Sequence, residues 1–405
     1  MTIQVEQFIA KNGEKAIKIN GYSLYSSYNP TQDAMRYISK EMDINASGYI
    51  LLGLGLGYHL HALIEQNESN KPIISCCFNE QEIELYESNK TLQQVDYSSV
   101  TFVNRLQDLV VDETYQIIMP QVWLQIIGEL HPLYNILLEI KMKQKTYKKF
   151  AGLMEQNFLA NVALNEFNLD EMSKSIDLTK IACLVSAGPS LNETVGWLKE
   201  YRESTYILCV GAALKVLISN GIKPDAVIIT DPSVYILEQV FGRKYQVSFY
   251  YLSTVYPEVI DYFTGKRCIL LQEGYTLAEN FAKGKNYPLL ETGGSVATTG
   301  LSLLEFLGFN EIVLFGQDLG FKGTNTHAKL SSSNTVVSSK MTFLKVQSNN
   351  NEYISTLPNL VSFKNWFERK IKKSRVKVYT TALNGAKING VKYISREEFV
   401  NLVRY

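Results

Sequence analysis

Cysteine is scarce in this chain, with five in 405 residues, at positions 76, 77, 183, 209 and 268. The number is odd and no two are spaced as CxxC. That argues against a disulfide framework or a zinc cluster and for buried thiols in a reducing cytoplasm. No stretch approaches the roughly 18 consecutive apolar residues of a membrane-spanning helix. The first residues, MTIQVEQFIAKNGEKAI, lack a basic region followed by a long apolar run, so no signal peptide is expected. Neither sign of charge is in excess, since Lys plus Arg and Asp plus Glu both number 40. Without a basic field, nothing advertises a nucleic-acid partner. Histidine is limited to four residues, and no Asp-x-Asp pair occurs to hold a sugar-nucleotide diphosphate through a divalent metal. These absences point to a soluble cytoplasmic protein with neither membrane nor nucleic acid among its partners.

What is present is an α/β rhythm with material for two or three domains. The most informative stretch runs from Ile181 to Pro232. Ile181–Val185, Tyr206–Val210 and Ala226–Thr230 read as strands, with helices between them. The first strand breaks at Ser186-Ala187-Gly188-Pro189-Ser190, where glycine relaxes the backbone and proline suits a first helical turn. Ser190 and Glu193 have capping-box spacing. Ligands of open α/β sheets bind at the carboxyl ends of strands, where helix starts attract anions. A phosphate-bearing substrate at Ser186–Ser190 is the first expectation, with a plain βα turn as the alternative. The third strand ends at Asp231-Pro232.

A second such pattern lies upstream. Tyr49–Leu52, the turn Gly53-Leu54-Gly55-Leu56-Gly57, a helix over Tyr58–Gln66 and a strand over Ile73–Phe78 make one βαβ unit, with Glu80 where a ribose-binding acid would sit. It reads either as a cofactor site or as a Rossmann-like unit that has kept only its turn. His59 and His61 are two apart on one helix and make a poor metal pair. Residues 1–40 read as a β-rich lead-in with turns at Asn12-Gly13 and Asn29-Pro30. Val122 to about Leu169 is a helical tract carrying a lysine-rich face, broken at His131-Pro132. Residues 170–180 are polar and mark a boundary. The expected division is 1–120, a Rossmann-like N-terminal domain; 121–174, a helical linker; and 175–405, a central domain.

Downstream, Gly293-Gly294-Ser295 precedes a helix rich in small residues, Ala297, Thr298, Thr299 and Gly300, which would let it approach a sheet or a ligand closely. The strand Glu311–Phe315 leads into Gly316-Gln317-Asp318, and His327 follows in a polar loop. Acids at strand ends and a loop histidine are what an α/β active site uses. Residues 331–356 are Ser/Asn-rich and read as a loop, a lid or acceptor-binding element.

SAGPSL at 186–191, GIKPDAVIITDP at 221–232, TGGSVATTGLSLLEFLGFNEIVLFGQDLGF at 292–321, THA at 326–328 and LNGAKINGV at 383–391 together resemble the motility-associated-factor (Maf) glycosyltransferases. GLGLGYHL near the N-terminus is also like that family. The central domain of these proteins is likened to an archaeal 6-hydroxymethylpterin diphosphokinase and, more distantly, to the bacterial CMP-sialyltransferases. The resemblance implies a GT-A-like, sialyltransferase-type Rossmann-like domain. It also implies transfer of a nonulosonic acid, pseudaminic- or legionaminic-like, from its CMP-activated donor to Ser/Thr hydroxyls of flagellin. Substrate contacts are expected at Ala187, Gly188, Pro189, Ser190, Gly211, Asp231, Gly293, Gly294, Ser295, Gln317 and Asp318. His327, Asp231 and Asp318 are expected to supply the base and its orienting partners. The donor is a substrate; no cofactor and no metal are expected. A pterin diphosphokinase-like enzyme and a non-catalytic flagellin-binding motility factor are the alternatives. Larger Maf proteins carry more chain after the central domain, so a short member or a truncated one is expected.

Overall fold

The computed structural model describes residues 4–44, 46–78, 80–90, 96–104, 115–128, 131, 133–174, 176–240, 242–322, 327–331 and 343–404. The chain divides into two compact units, Met1–Leu137 and Leu138–Tyr405.

The first unit opens with an antiparallel sheet of β1 (Val5–Ile9), β2 (Lys15–Ile19) and β3 (Tyr22–Ser23). α1 (Pro30–Glu41) follows. Asn29-Pro30 is therefore a helix start as well as a turn: Pro30 takes the first helical position, and Asn29 Oδ1 accepts the Gln32 N–H at 2.9 Å. β4 (Gly48–Leu52), α2 (Tyr58–Gln66), β5 (Ile73–Cys76), α3 (Gln81–Lys90), β6 (Val100–Val103) and β7 (Tyr115–Ile118) build a parallel sheet of order β6-β5-β4-β7. α4 (Val122–Ile127) follows, and its Trp123 is fully buried.

α5 (Tyr134–Val162) is the long helix of the chain. The lysine-rich face expected on it rests largely on side chains outside the described residues. α6 (Leu169–Ser173) then leads into β8 (Ile181–Val185), α7 (Leu191–Glu200), β9 (Thr205–Val210), α8 (Gly211–Ser219), β10 (Ala226–Ile229), β11 (Ser248–Leu252), β12 (Arg267–Gln272), α9 (Thr276–Lys285) and β13 (Leu289–Leu290). α10 (Val296–Phe306) and β14 (Glu311–Phe315) come next, followed by β15 (Leu344–Gln347), β16 (Tyr353–Thr356), α11 (Pro358–Lys373), β17 (Lys377–Thr380), β18 (Lys392–Tyr393) and α12 (Arg396–Arg404). Of the loop expected over 331–356, residues 332–342 lie outside the described residues, and the remainder forms an antiparallel hairpin, with Leu344 opposite Thr356 and Gln347 opposite Tyr353. Alternation of polar and apolar residues such as Lys345, Val346 and Gln347 carries that hairpin despite its serines and asparagines.

Nine parallel strands form the large sheet of the second unit in the order β13-β12-β11-β10-β9-β8-β14-β17-β18. Every residue of β9 and β10 is buried, as continuous apolar runs covered on both faces should be. The chain fills the sheet in one direction from β8 to β13. α10 then carries it back to β14, on the other side of β8. Small residues make that crossing possible: a Cβ on Gly300 would lie 2.7 Å from Leu184 Cδ1, so the helix backbone presses directly on β8. The expected close approach is thus to the sheet. Strand order reverses between β8 and β14, and such a reversal opens a crevice beyond the strand ends. Across the sheet, Phe399 of α12 packs edge-on against Phe315 and beside Trp197 of α7.

Candidate active site

The crevice at β8 and β14 gathers four segments that are far apart in sequence. The Ser186 N–H donates to the Phe315 carbonyl and the Gly188 N–H to the Gly316 carbonyl, each at 2.8 Å. Gly316 has φ +63°, and a Cβ there would meet the Ser186 carbonyl at 2.2 Å, so glycine is required on both grounds. Ser186 Oγ donates to Gln317 Oε1 at 2.6 Å. The Ala328 N–H donates to the Ala187 carbonyl at 2.8 Å, which docks the residue after His327 on the turn. The Ala386 N–H donates to the Asp318 carbonyl at 2.7 Å, which brings in the 383–391 segment. Ala187, Gly188, Pro189, Ser190, Gln317, Asp318 and the chain around His327 are therefore one constellation. Thr326 lies outside the described residues.

Asp318 decides the electrostatics of the turn. Ser190 Oγ donates to its Oδ2 at 2.8 Å, and the Ser190 N–H lies 3.2 Å and 3.3 Å from the two carboxylate oxygens. The expected capping box is absent, because the Ser190 side chain serves Asp318 rather than the helix. Asp318 is only 7% exposed. Burial pushes its carboxyl up to about 6; the Ser190 hydrogen bonds oppose that rise and Glu193 adds to it. His327 is half-buried, and burial holds its imidazole below the ordinary value, in the neutral form a base requires.

The other expected residues are placed differently. Asp231 is exposed at the end of β10 and folds its own loop, its Oδ1 accepting the Ser233 N–H at 2.8 Å and the Ser233 hydroxyl at 2.7 Å. β10 is three strands from β14, about 14 Å across the sheet. The start of α10 caps itself. Ser295 Oγ accepts the Thr298 N–H at 3.2 Å, while Thr298 Oγ1 accepts the Gly293 and Ser295 N–H groups at 3.1 and 3.2 Å. Gly293 packs against the Trp366 ring, and Gly294 has φ +85°. Gly211 opens α8, where a Cβ would meet Gln239 Oε1 at 2.1 Å. Ser331 Oγ donates to the Ala212 carbonyl at 3.2 Å, tying that helix start to the segment after His327.

Sequence reasoning missed two asparagines of α5. Asn157 Nδ2 donates to the Pro232 and Thr254 carbonyls, and Asn161 Nδ2 to those of Ser253 and Val255, at 2.8–3.1 Å. They clamp the strand-end loops of β10 and β11. Two buried amides four residues apart on a helix were the available signal. Among the described residues, no group of three or more His, Cys, Asp or Glu could hold a metal ion. No helix is long and apolar enough to cross a membrane, again among the described residues. All five cysteines are buried free thiols.

The glycine turn of the first unit is filled from within. Glu82 is fully buried; its Oε2 accepts the Leu54 and Gly55 N–H groups at 2.7 and 3.3 Å, and its Oε1 the Phe78 N–H at 2.7 Å. Tyr25 Oη accepts the Leu56 N–H at 2.9 Å. Trp123 and Tyr86 fill the space beside Gly53 and Gly57. Glu80, expected as a ribose ligand, is exposed. The turn is thus a structural one in this structure.

Residues 156–324 match the family described as MptE-like, 6-hydroxymethylpterin diphosphokinase MptE-like. No curated protein matches. Among solved structures, a Maf glycosyltransferase from Magnetospirillum magneticum AMB-1 is similar over 100% of this chain and 74% of that one, with 17% identity and a TM-score of 0.49.

Proposed function

We propose that this protein is a glycosyltransferase that moves a nonulosonic acid from a CMP-activated donor to Ser/Thr hydroxyls of flagellin. The observation that carries the reading is the constellation at the β8/β14 reversal, where four of the five resembling segments are hydrogen-bonded into one crevice. The chemistry asks for a base to take the acceptor hydroxyl proton as CMP departs from an oxocarbenium-like centre. His327, kept neutral by burial, is that base. Asp318 is fully engaged by Ser190 and organises the turn. Asp231 stands apart and serves its own loop. The reaction needs no metal.

The test incubates the protein with CMP-pseudaminic or CMP-legionaminic acid and flagellin, and reads the flagellin mass. A gain of one nonulosonate per modified site, unchanged by EDTA, is expected. No mass gain with either donor would sink the reading; an EDTA-sensitive gain would overturn metal independence alone. The MptE-like match over 156–324 favours a second reading, a pterin diphosphokinase-like enzyme. Pyrophosphoryl transfer from ATP–Mg²⁺ to 6-hydroxymethylpterin would establish it in place of the first.

A further inference from the structure

The carboxyl edge of the large sheet carries the crevice. Its amino edge carries a cavity of about 650 Å³, set between the chain entering β8, the turn entering β14 and the helix α12. That volume is in the range of small-molecule sites. β8 and β14 are each five residues long, so roughly 15 Å of strand separates the cavity from the crevice. Leu178, Ile181, Phe309, Ile394 and Leu402 supply its apolar wall. Phe309 and Ile394 are buried, and the Phe309 ring lies against Tyr206 with 5.1 Å between centroids. Leu178, by contrast, is 53% exposed, an apolar side chain left open to solvent at the rim.

Two carboxylates also line the cavity, and both are answered by the chain itself. Glu311 Oε1 accepts the Tyr379 hydroxyl at 3.0 Å and pairs with Lys377 Nζ at 3.2 Å. Glu398 Oε1 pairs with Lys392 Nζ at 2.8 Å, and its Oε2 accepts the Ser395 N–H at 2.9 Å. Lys180 differs. It is half-buried in the wall, and its ammonium forms no ion pair or hydrogen bond among the described residues. Asp177, an acid its charge reaches, is occupied by the Thr179 N–H and hydroxyl at 3.0 and 2.6 Å. We infer that this cavity is a binding site for a small amphipathic anion. Its apolar body lies on Phe309, Ile394 and Leu402, and its one acidic group meets the Lys180 ammonium. Removing apolar area from water drives entry, and a half-buried cation attracts an anion more strongly than one in bulk water. A cationic ligand would find both carboxylates already paired and would face Lys180. The site stands whether or not the transfer reading does.

The test titrates the full chain with two fluorescent probes. One is anilinonaphthalene sulfonate, an aromatic body with one sulfonate; the other is phenylnaphthylamine, the same body without the charge. The wild type is expected to bind one sulfonate probe per chain, saturably, and roughly fivefold tighter than the uncharged one. Lys180→Gln should erase that preference by weakening the sulfonate probe alone, and Lys180→Arg should keep it. Leu402→Trp, whose larger ring would occupy the cavity, should lose both probes. Thermal melting of each variant verifies its fold, and if Leu402→Trp does not fold the two Lys180 variants decide. No saturable binding by the wild type, equal affinity for the two probes, or a preference unchanged in Lys180→Gln overturns the inference. So does a Lys180→Gln protein that loses both probes alike, or a folded Leu402→Trp protein that binds them as the wild type does.

Discussion

Replacing Asp318 by asparagine should make the protein more stable at neutral pH. An acid whose folded value is raised binds protons more tightly folded than unfolded. Its cost to stability is absent below the unfolded value of 3.8, grows as pH rises, and is complete above about 6. The difference between 3.8 and about 6 corresponds to about 3 kcal/mol at pH 7.5. Asparagine presents one oxygen to the Ser190 N–H and hydroxyl, and orphans an amide N–H at a cost of about 1 kcal/mol. The net gain is about 2 kcal/mol, or roughly 4–8 °C in Tm for a unit of this size. Calorimetry of both proteins from pH 7.5 to pH 3.5 checks it. As pH falls through the window between 6 and 3.8 the gap should close and then reverse by about 1 kcal/mol, because the wild-type carboxyl becomes neutral too while the variant keeps its orphaned amide N–H. A variant less stable than wild type by the same margin at both ends would refute the argument and make Asp318 an ordinary helix cap. A buried carboxylate kept ionised against its environment is what a functional site retains at the expense of stability.

His59 pushes in the opposite direction. Burial holds its imidazole down to about 4, so the first unit loses stability as pH falls from 6.5 towards 4. The loss is about 2 kcal/mol between pH 7.5 and pH 5, and hydrogen exchange of the β4 amides at the two pH values should register it; equal protection would contradict it. Gly188→Ala forces a methyl onto Asp318 Oδ2 and the Gly316 carbonyl, and should cost roughly 1–3 kcal/mol in a urea titration. An unchanged midpoint would mean that the turn is looser than its contacts indicate. His327→Ala should lower transfer roughly 10²–10⁴-fold while Tm moves by less than about 2 °C; an intact rate would remove it as the base.

The inner strands of the nine-stranded sheet were legible because they are buried on both faces. Ile181–Val185 is an uninterrupted apolar run, Glu311–Phe315 is one after its first residue, both have glycine turns behind them, and both strands have those bounds. The glycines were legible as turns, and the small residues of α10 as a surface for close approach. What the turns hold was not. Ser190 and Glu193 have the spacing of a capping box, yet Ser190 answers to Asp318, 128 residues away. Gly53–Gly57 has the look of a cofactor loop, yet Glu82, Tyr25 and Trp123 fill it. Local spacing fixes which backbone N–H groups a helix start offers. Which oxygen arrives to take them depends on strand order, and strand order is set when the whole sheet assembles. Sequence alone thus determined the α/β architecture, the turns and the residues worth watching. Tertiary structure alone decided that β14 returns beside β8, that Asp318 therefore reaches the turn, and that Asp231 does not.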